Sequence, residues 1–136
     1  MLIMYSFSAK SADRLNTCHP DIRLIMEELI NIYDCSILEG LRTTEQQQAY
    51  FKDGKSTLDG VNQLSKHQDD GSGLSRAIDV MPYKKGTNAF SGDEKDHRRF
   101  YFMMGLVRAI SERLHKEGKI IHKVRFGLDW DSDDVY

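Results

Sequence analysis

Asp79 lies inside Ala77-Ile78-Asp79-Val80-Met81, a short apolar run that otherwise reads as a buried strand. An ionised carboxylate left unpaired among Ile78, Val80 and Met81 would cost several kcal/mol, so a fold that buries this run must bring a cation or hydrogen-bond donors to it. Twelve positions upstream, His67 follows a run rich in turn formers, and Gly71 and Gly73 let the polar stretch between the two fold back. Imidazole and carboxylate are usual nitrogen and oxygen ligands of zinc, so one reading makes His67 and Asp79 half of a metal site. The other makes His67 a loop histidine and Asp79 a salt-bridged acid at a strand end. The pair alone does not choose between them.

The rest of the chain supplies a frame for this pair. Residues 5–19 read as a polar lead-in anchored by Phe7 and Leu15, with His19 in the capping region before a helix that starts at Pro20. That helix runs to Tyr33 and buries Ile22, Ile25, Met26, Leu29 and Tyr33. Cys35 to Leu38 predicts a strand ended by Glu39-Gly40, and Thr43 with Gln46 forms a capping box for a helix over Thr44 to Lys52, closed at Gly54. Arg42 stands at the strand-to-helix junction, where its fixed fork of donors suits a developing oxyanion or a salt bridge with Glu39 or Glu45. Residues 54–64 read as a loop crossing one side of the cleft and delivering Ser65 and His67, with Ser65 orienting the substrate or the imidazole, or serving as a turn serine.

A capping box at Ser91-x-x-Glu94 opens the longest helix, whose stripe is Phe100, Met103, Met104, Val107, Ile110 and Leu114 and whose stop is Gly118. Ile120 to Phe126 alternates and predicts a further strand. Beyond it, Asp129, Asp131 and Asp133 match the first three oxygen positions of a calcium loop, with Asp134 where such loops prefer glycine; a solvated acidic turn is the alternative. Together these elements give an α+β fold, a small mostly antiparallel sheet with two or three helices packed to one side.

Length and charge narrow the function classes. The 136 residues make a single domain, 1–136, with room for a core that needs no disulfide or metal. A net charge of -2 with scattered Lys and Arg argues against a nucleic-acid partner. No apolar run approaches the ~18 residues of a membrane span, so membrane insertion is not expected, and Met1 to Tyr5 is too short for a signal-peptide core. Cys18 and Cys35 lack metal or redox spacing and are expected as free thiols.

Ser65-x-His67, then glycine, then Ala77-x-Asp79 resembles the Ser-x-His-x-x-Gly-x-Ala-x-Asp signature of the LAS-type zinc peptidases. These are the D-alanyl-D-alanine carboxypeptidases and dipeptidases, and the L-alanyl-D-glutamate endopeptidases of phage endolysins. The family loop is tight, so the spacing here implies an insertion of about five residues within 68–76, which a polar glycine-bearing loop accommodates at modest entropic cost. Ser11-x-x-Arg14-Leu15-x-x-x-His19-Pro20-Asp21, Glu39-Gly40-Leu41-Arg42-Thr43-x-Glu45-Gln46-Gln47 and Arg125-Phe126-Gly127-x-Asp129-Trp130 resemble further blocks, the first and last of the endolysin branch.

The resemblance implies a monomeric zinc-dependent peptidase acting on peptidoglycan stem peptide. His67 and Asp79 hold the metal, Arg42 steadies the oxyanion and Ser65 serves the substrate. A phage endolysin of this type is made in the host cytoplasm without a signal peptide and reaches the cell wall after release. In the family a last-strand His-x-Glu adds the third ligand and the base, and neither has a matching position here. His122, on a late predicted strand, offers itself as a substitute ligand, although it precedes the Arg-Phe-Gly block and lacks the following glutamate. The 136-residue chain is therefore expected to hydrolyse slowly or not at all, and a truncated or degenerate stem-peptide-binding relative is the alternative.

Overall fold

The computed structural model describes residues 4–85 and 94–127. Its elements are α1 (Ala9–Leu15), α2 (Pro20–Ile30), β1 (Cys35–Glu39), α3 (Thr44–Lys52), β2 (Asp79–Pro82) and α4 (Glu94–Lys116). α2 starts where proline costs nothing, with Pro20 in the first turn and the His19 side chain accepting the Asp21 N–H as N-cap. It ends at Ile30, three residues short of the predicted Tyr33, and buries Ile25, Met26, Leu29 and Ile30. These pack on the expected stripe of α4, where Met103, Val107, Ile110 and Leu114 are buried. Ile37 of β1 and Val80 of β2 close the same core, so the helices lie against one face of the sheet.

The sheet among the described residues is a two-stranded antiparallel pair, in an α+β fold as expected. Ile37 pairs with Val80 and Glu39 with Asp79, with an irregularity between Ile37 and Glu39 that leaves Leu38 unopposed. The alternation of β2 places Val80 inward and Asp79 outward, so the carboxylate is half exposed and not stranded in the core. Burial among Ile78, Val80 and Met81 is thus corrected: a period of two puts Asp79 on the opposite face from Val80.

Residues 5–19 are more than a lead-in. Ser8 caps α1 by accepting the Ser11 N–H, and the helix then covers the free edge of β1. Ser11 Oγ accepts the Ile37 N–H at 3.0 Å and Arg14 Nη1 donates to the Ile37 carbonyl at 3.0 Å, so polar side chains pair the edge of β1 that has no ladder partner among the described residues. Phe7 and Leu15 are apolar anchors, as expected. Ile120 to Phe126 forms no strand with the described residues. Its burial still alternates, with Ile120, His122, Val124 and Phe126 more covered than Ile121, Lys123 and Arg125. Ser91, the predicted cap of α4, lies outside the described residues, and Cys18 and Cys35 are buried free thiols.

Gly40, just after β1, packs tightly against the end of α1. A Cβ there would sit 2.3 Å from Thr17 Oγ1 and 2.5 Å from the Arg14 carbonyl oxygen, and the latter is backbone that cannot swing aside. Gly40→Ala should therefore destabilise the fold by about 1–3 kcal/mol, the range for overpacking. Urea unfolding checks this, and an unchanged midpoint would show that the junction is looser than its contacts imply.

Candidate metal centre and active site

The pairing of Glu39 with Asp79 sets both carboxylates at one end of the short sheet, and the turn after β1 brings Arg42 beside them. His67 arrives from the loop after α3. The Arg42 N–H donates to the His67 carbonyl at 2.8 Å, and His67 Nδ1 donates to the Gly40 carbonyl at 2.8 Å. A carbonyl can only accept, so Nδ1 carries the ring proton and, in the neutral imidazole, Nε2 presents its lone pair. That lone pair faces Asp79 Oδ1 at 3.5 Å. Two electron-rich atoms in this position call for a cation between them, either a proton or a metal.

Without metal, a proton serves. Burial alone pushes the His67 imidazole down, but the hydrogen bond to Asp79, the Gly40 carbonyl and the Asp79 charge outweigh it and raise its pKa above the ordinary value. Asp79 is held below the usual carboxylate range, chiefly by His67, with burial opposing and Arg42 assisting.

Arg42 is fixed on several sides. Its Nε and Nη2 bond Glu39 Oε1, Nη1 donates to Gln47 Oε1 at 2.6 Å, and the guanidinium lies 4.6 Å from the centre of the Tyr50 ring. Tyr50 donates its phenolic hydrogen to Glu39 Oε2 at 3.1 Å, and Gln47, with no exposed surface, donates onward to Ser56 Oγ and the Leu58 carbonyl. The remaining approach of Arg42 Nη2 is to Asp79 Oδ2, 4.0 Å away. The salt bridge to Glu39 foreseen for Arg42 is present, while the partners Gln47 and Tyr50 were missed. Their signal was the three-residue helical spacing that puts both on one face of α3.

Ser65 is buried, and its hydroxyl accepts the His67 N–H at 3.2 Å, the turn role held open for it. The tip of the loop after His67 is braced from within. Asp69 Oδ1 accepts the Gly71 and Gly73 N–H groups, both glycines take positive φ, and the Arg76 N–H closes the base of the loop on the Lys66 carbonyl at 2.9 Å. A small cleft of about 270 Å³ opens beside Arg42, between Leu41, Thr43, Leu64 and Gln68.

Two groups of potential metal-binding side chains occur among the described residues: Glu39, His67 and Asp79, and separately His19, Asp21 and His122. His122 is thus not brought to the His67–Asp79 pair. Asp21 Oδ2 accepts the N–H groups of Ile121 and His122 at 3.1 Å each and His122 Nδ1 at 2.8 Å, while His19 Nδ1 accepts the Asp21 N–H. These bonds form a clasp that holds the chain after α4 to the start of α2. Asp129, Asp131 and Asp133, the calcium candidates, lie outside the described residues.

The fold is shared with a peptidase of known structure. The L-Ala D-Glu endopeptidase ChiX of Serratia marcescens superimposes with a TM-score of 0.57 at 21% identity, over 96% of this chain and 86% of that one. Residues 3–136 match the family model of the phage L-alanyl-D-glutamate peptidases, and the chain belongs to that family. No curated protein sequence matches it.

The paired shifts define a pH window for the metal-free protein. The raised pKa of His67 gives stability that is full below its unfolded value, about 6.5, and is lost as pH rises through the higher folded value. The lowered pKa of Asp79 gives stability present above its unfolded value, about 3.9, and lost as pH falls through the lower folded value. With chelator present, the stability gap between wild type and His67→Ala should be widest between about pH 4 and 6.5 and shrink on both sides. Urea midpoints across pH measure it; a gap that widens steadily to pH 9 would contradict the pairing.

Proposed function

We propose that the chain is a zinc-dependent peptidase that cleaves peptidoglycan stem peptides, a phage endolysin of the L-alanyl-D-glutamate endopeptidase type. Membership of that peptidase family supports the substrate class. One observation carries the metal: His67 Nε2 and Asp79 Oδ1 lie 3.5 Å apart with the imidazole proton held on the far nitrogen. Two ligands on one tetrahedral zinc, each bonded at 2.0–2.2 Å, stand about 3.4 Å from each other. The Gly40 carbonyl fixes the tautomer and ring plane in the way that outer partners of metal-bound histidines do.

Zinc bound there supplies Lewis acidity toward a scissile carbonyl and makes water more acidic. The protein's own groups do the positioning. His67 and Asp79 hold the metal, and Asp79, half exposed, keeps the site open to substrate. Arg42, already stripped of most of its water, presents a fixed positive charge where negative charge develops on the carbonyl oxygen. Ser65 acts through His67, holding its backbone while the cleft beside Arg42 receives the peptide. The proposed action is on the wall, as a monomer, after release from the host cytoplasm; no described helix is long and apolar enough to cross a membrane.

A second reading, binding of stem peptide without cleavage, is favoured by Glu39. Among the described residues it is the third member of the metal-capable group, yet Arg42 and Tyr50 already hold both of its oxygens.

Two measurements test the proposal. Dialysed protein should retain zinc and His67→Ala should not; equal zinc in both would remove His67 from the site. Arg42→Ala should lower kcat by about 10²- to 10³-fold with little change in KM, the cost of losing one oxyanion donor. Release of free amino groups from isolated cell walls reads the rate. Wall binding with no release in the wild type, at saturating zinc, would establish the second reading instead.

A further inference from the structure

Among the described residues two carboxylates lie within 4.0 Å of the Arg42 guanidinium, and they compete for it. Glu39 has it, through Nε and Nη2, and is braced for the task by the Tyr50 hydroxyl on its other oxygen. Asp79 does not: its Oδ2 stands 4.0 Å from Nη2, about an ångström beyond hydrogen-bond distance. Asp79 is also the more exposed of the two, with 52% of its side chain accessible against 25% for Glu39. A guanidinium released from Glu39 has Asp79 as its nearest remaining anion, and a bidentate arginine is among the strongest partners a carboxylate can find.

We infer that Glu39 is a positioning residue whose task is to keep Arg42 off Asp79, so that the Asp79 carboxylate stays available to a metal ion. This rests on the reading of His67 and Asp79 as metal ligands. It gives Glu39 a role other than ligation, although it belongs to the metal-capable group. The geometry favours this role because the Glu39 oxygens are already bonded, Oε1 to two arginine nitrogens and Oε2 to Tyr50, whereas Asp79 Oδ1 faces His67 Nε2 at 3.5 Å and Oδ2 stands 4.0 Å from Arg42 on a half-exposed side chain. It also explains why a cation is built beside a metal site: once paired with Glu39 it adds a directional donor without contesting the metal's ligand.

The two roles separate in a double-mutant cycle read by zinc affinity, using competition with a chromophoric chelator. Glu39→Gln, and more strongly Glu39→Ala, should weaken zinc binding about 10- to 100-fold, the span typical of lost outer partners. Adding Arg42→Ala to either should recover most of the loss, because no cation is left to occupy Asp79. A direct ligand behaves otherwise: if Glu39 holds the metal itself, the double variants stay as weak as the single ones, and the inference is overturned. Unchanged zinc affinity in Glu39→Ala overturns it too. A metal-independent arm is the crystal structure of chelated Glu39→Gln. Arg42 should there bond Asp79 directly, and an Arg42 still held at its wild-type distance refutes the inference whatever zinc does. Loss of zinc binding in His67→Ala reports separately on the metal reading itself.

Discussion

The hydrogen bond from His67 Nδ1 to the Gly40 carbonyl is the contact on which the site depends. It crosses from the loop after α3 to the end of β1, selects the tautomer of the imidazole and aims Nε2 at Asp79. It forms only because residue 40 has no side chain, since any Cβ would collide with the backbone of Arg14 and the side chains of Thr17 and Cys18. The same closeness lets Thr17 Oγ1 accept the Leu41 N–H at 2.8 Å. One glycine thus ties the end of α1 to the start of the arginine-bearing turn, and its carbonyl reaches across to His67.

That dependence explains why the first helix belongs to the site although it contributes no group to it. β1 has a single ladder partner among the described residues, and its other edge would leave the Ile37 N–H and C=O unpaired in a protein interior. Ser11 and Arg14 satisfy them. Further along, the Cys18–Ser75 bridge, flanked by bonds from the His19 N–H to the Ser75 carbonyl and from the Ser75 N–H to the Thr17 carbonyl, pins the end of the His67 loop to the same junction. Ser11, Arg14 and His19, which read as a motif in the sequence, are therefore structural residues that place the neighbours of the site.

The sequence made legible what repeats or what caps. α2, α3 and α4 follow from apolar periodicity, proline and the Thr43–Gln46 box, and α3 has the predicted bounds. His67 and Asp79 stood out because a charged residue interrupts an apolar run and a histidine follows turn formers. α1 was missed because its useful face is polar: Ser11 and Arg14 serve a strand edge, and hydrophobic periodicity is blind to that. Over Ile120 to Phe126 alternation reports which side is covered, and the segment is covered on alternate sides, but the described residues build no ladder with it. Glu39 posed an ambiguity that no pattern resolves, because its part depends on which of two carboxylates the guanidinium faces.

Charge balance follows from that assignment. With His67 neutral, Glu39, Arg42 and Asp79 sum to a single negative charge, and Glu39 and Arg42 cancel each other at contact distance. A divalent cation meeting His67 and Asp79 therefore sees one unopposed carboxylate and leaves the cluster with one net positive charge. Such a balance suits transition-state stabilisation, since negative charge developing on a carbonyl oxygen is met by an excess positive field instead of an already neutral pair. Were Asp79 the partner of Arg42, its carboxylate would be closed to a cation. The bulge that sets Glu39 opposite Asp79 puts both carboxylates within reach of one arginine, and the phenol of Tyr50 secures Glu39 as its partner.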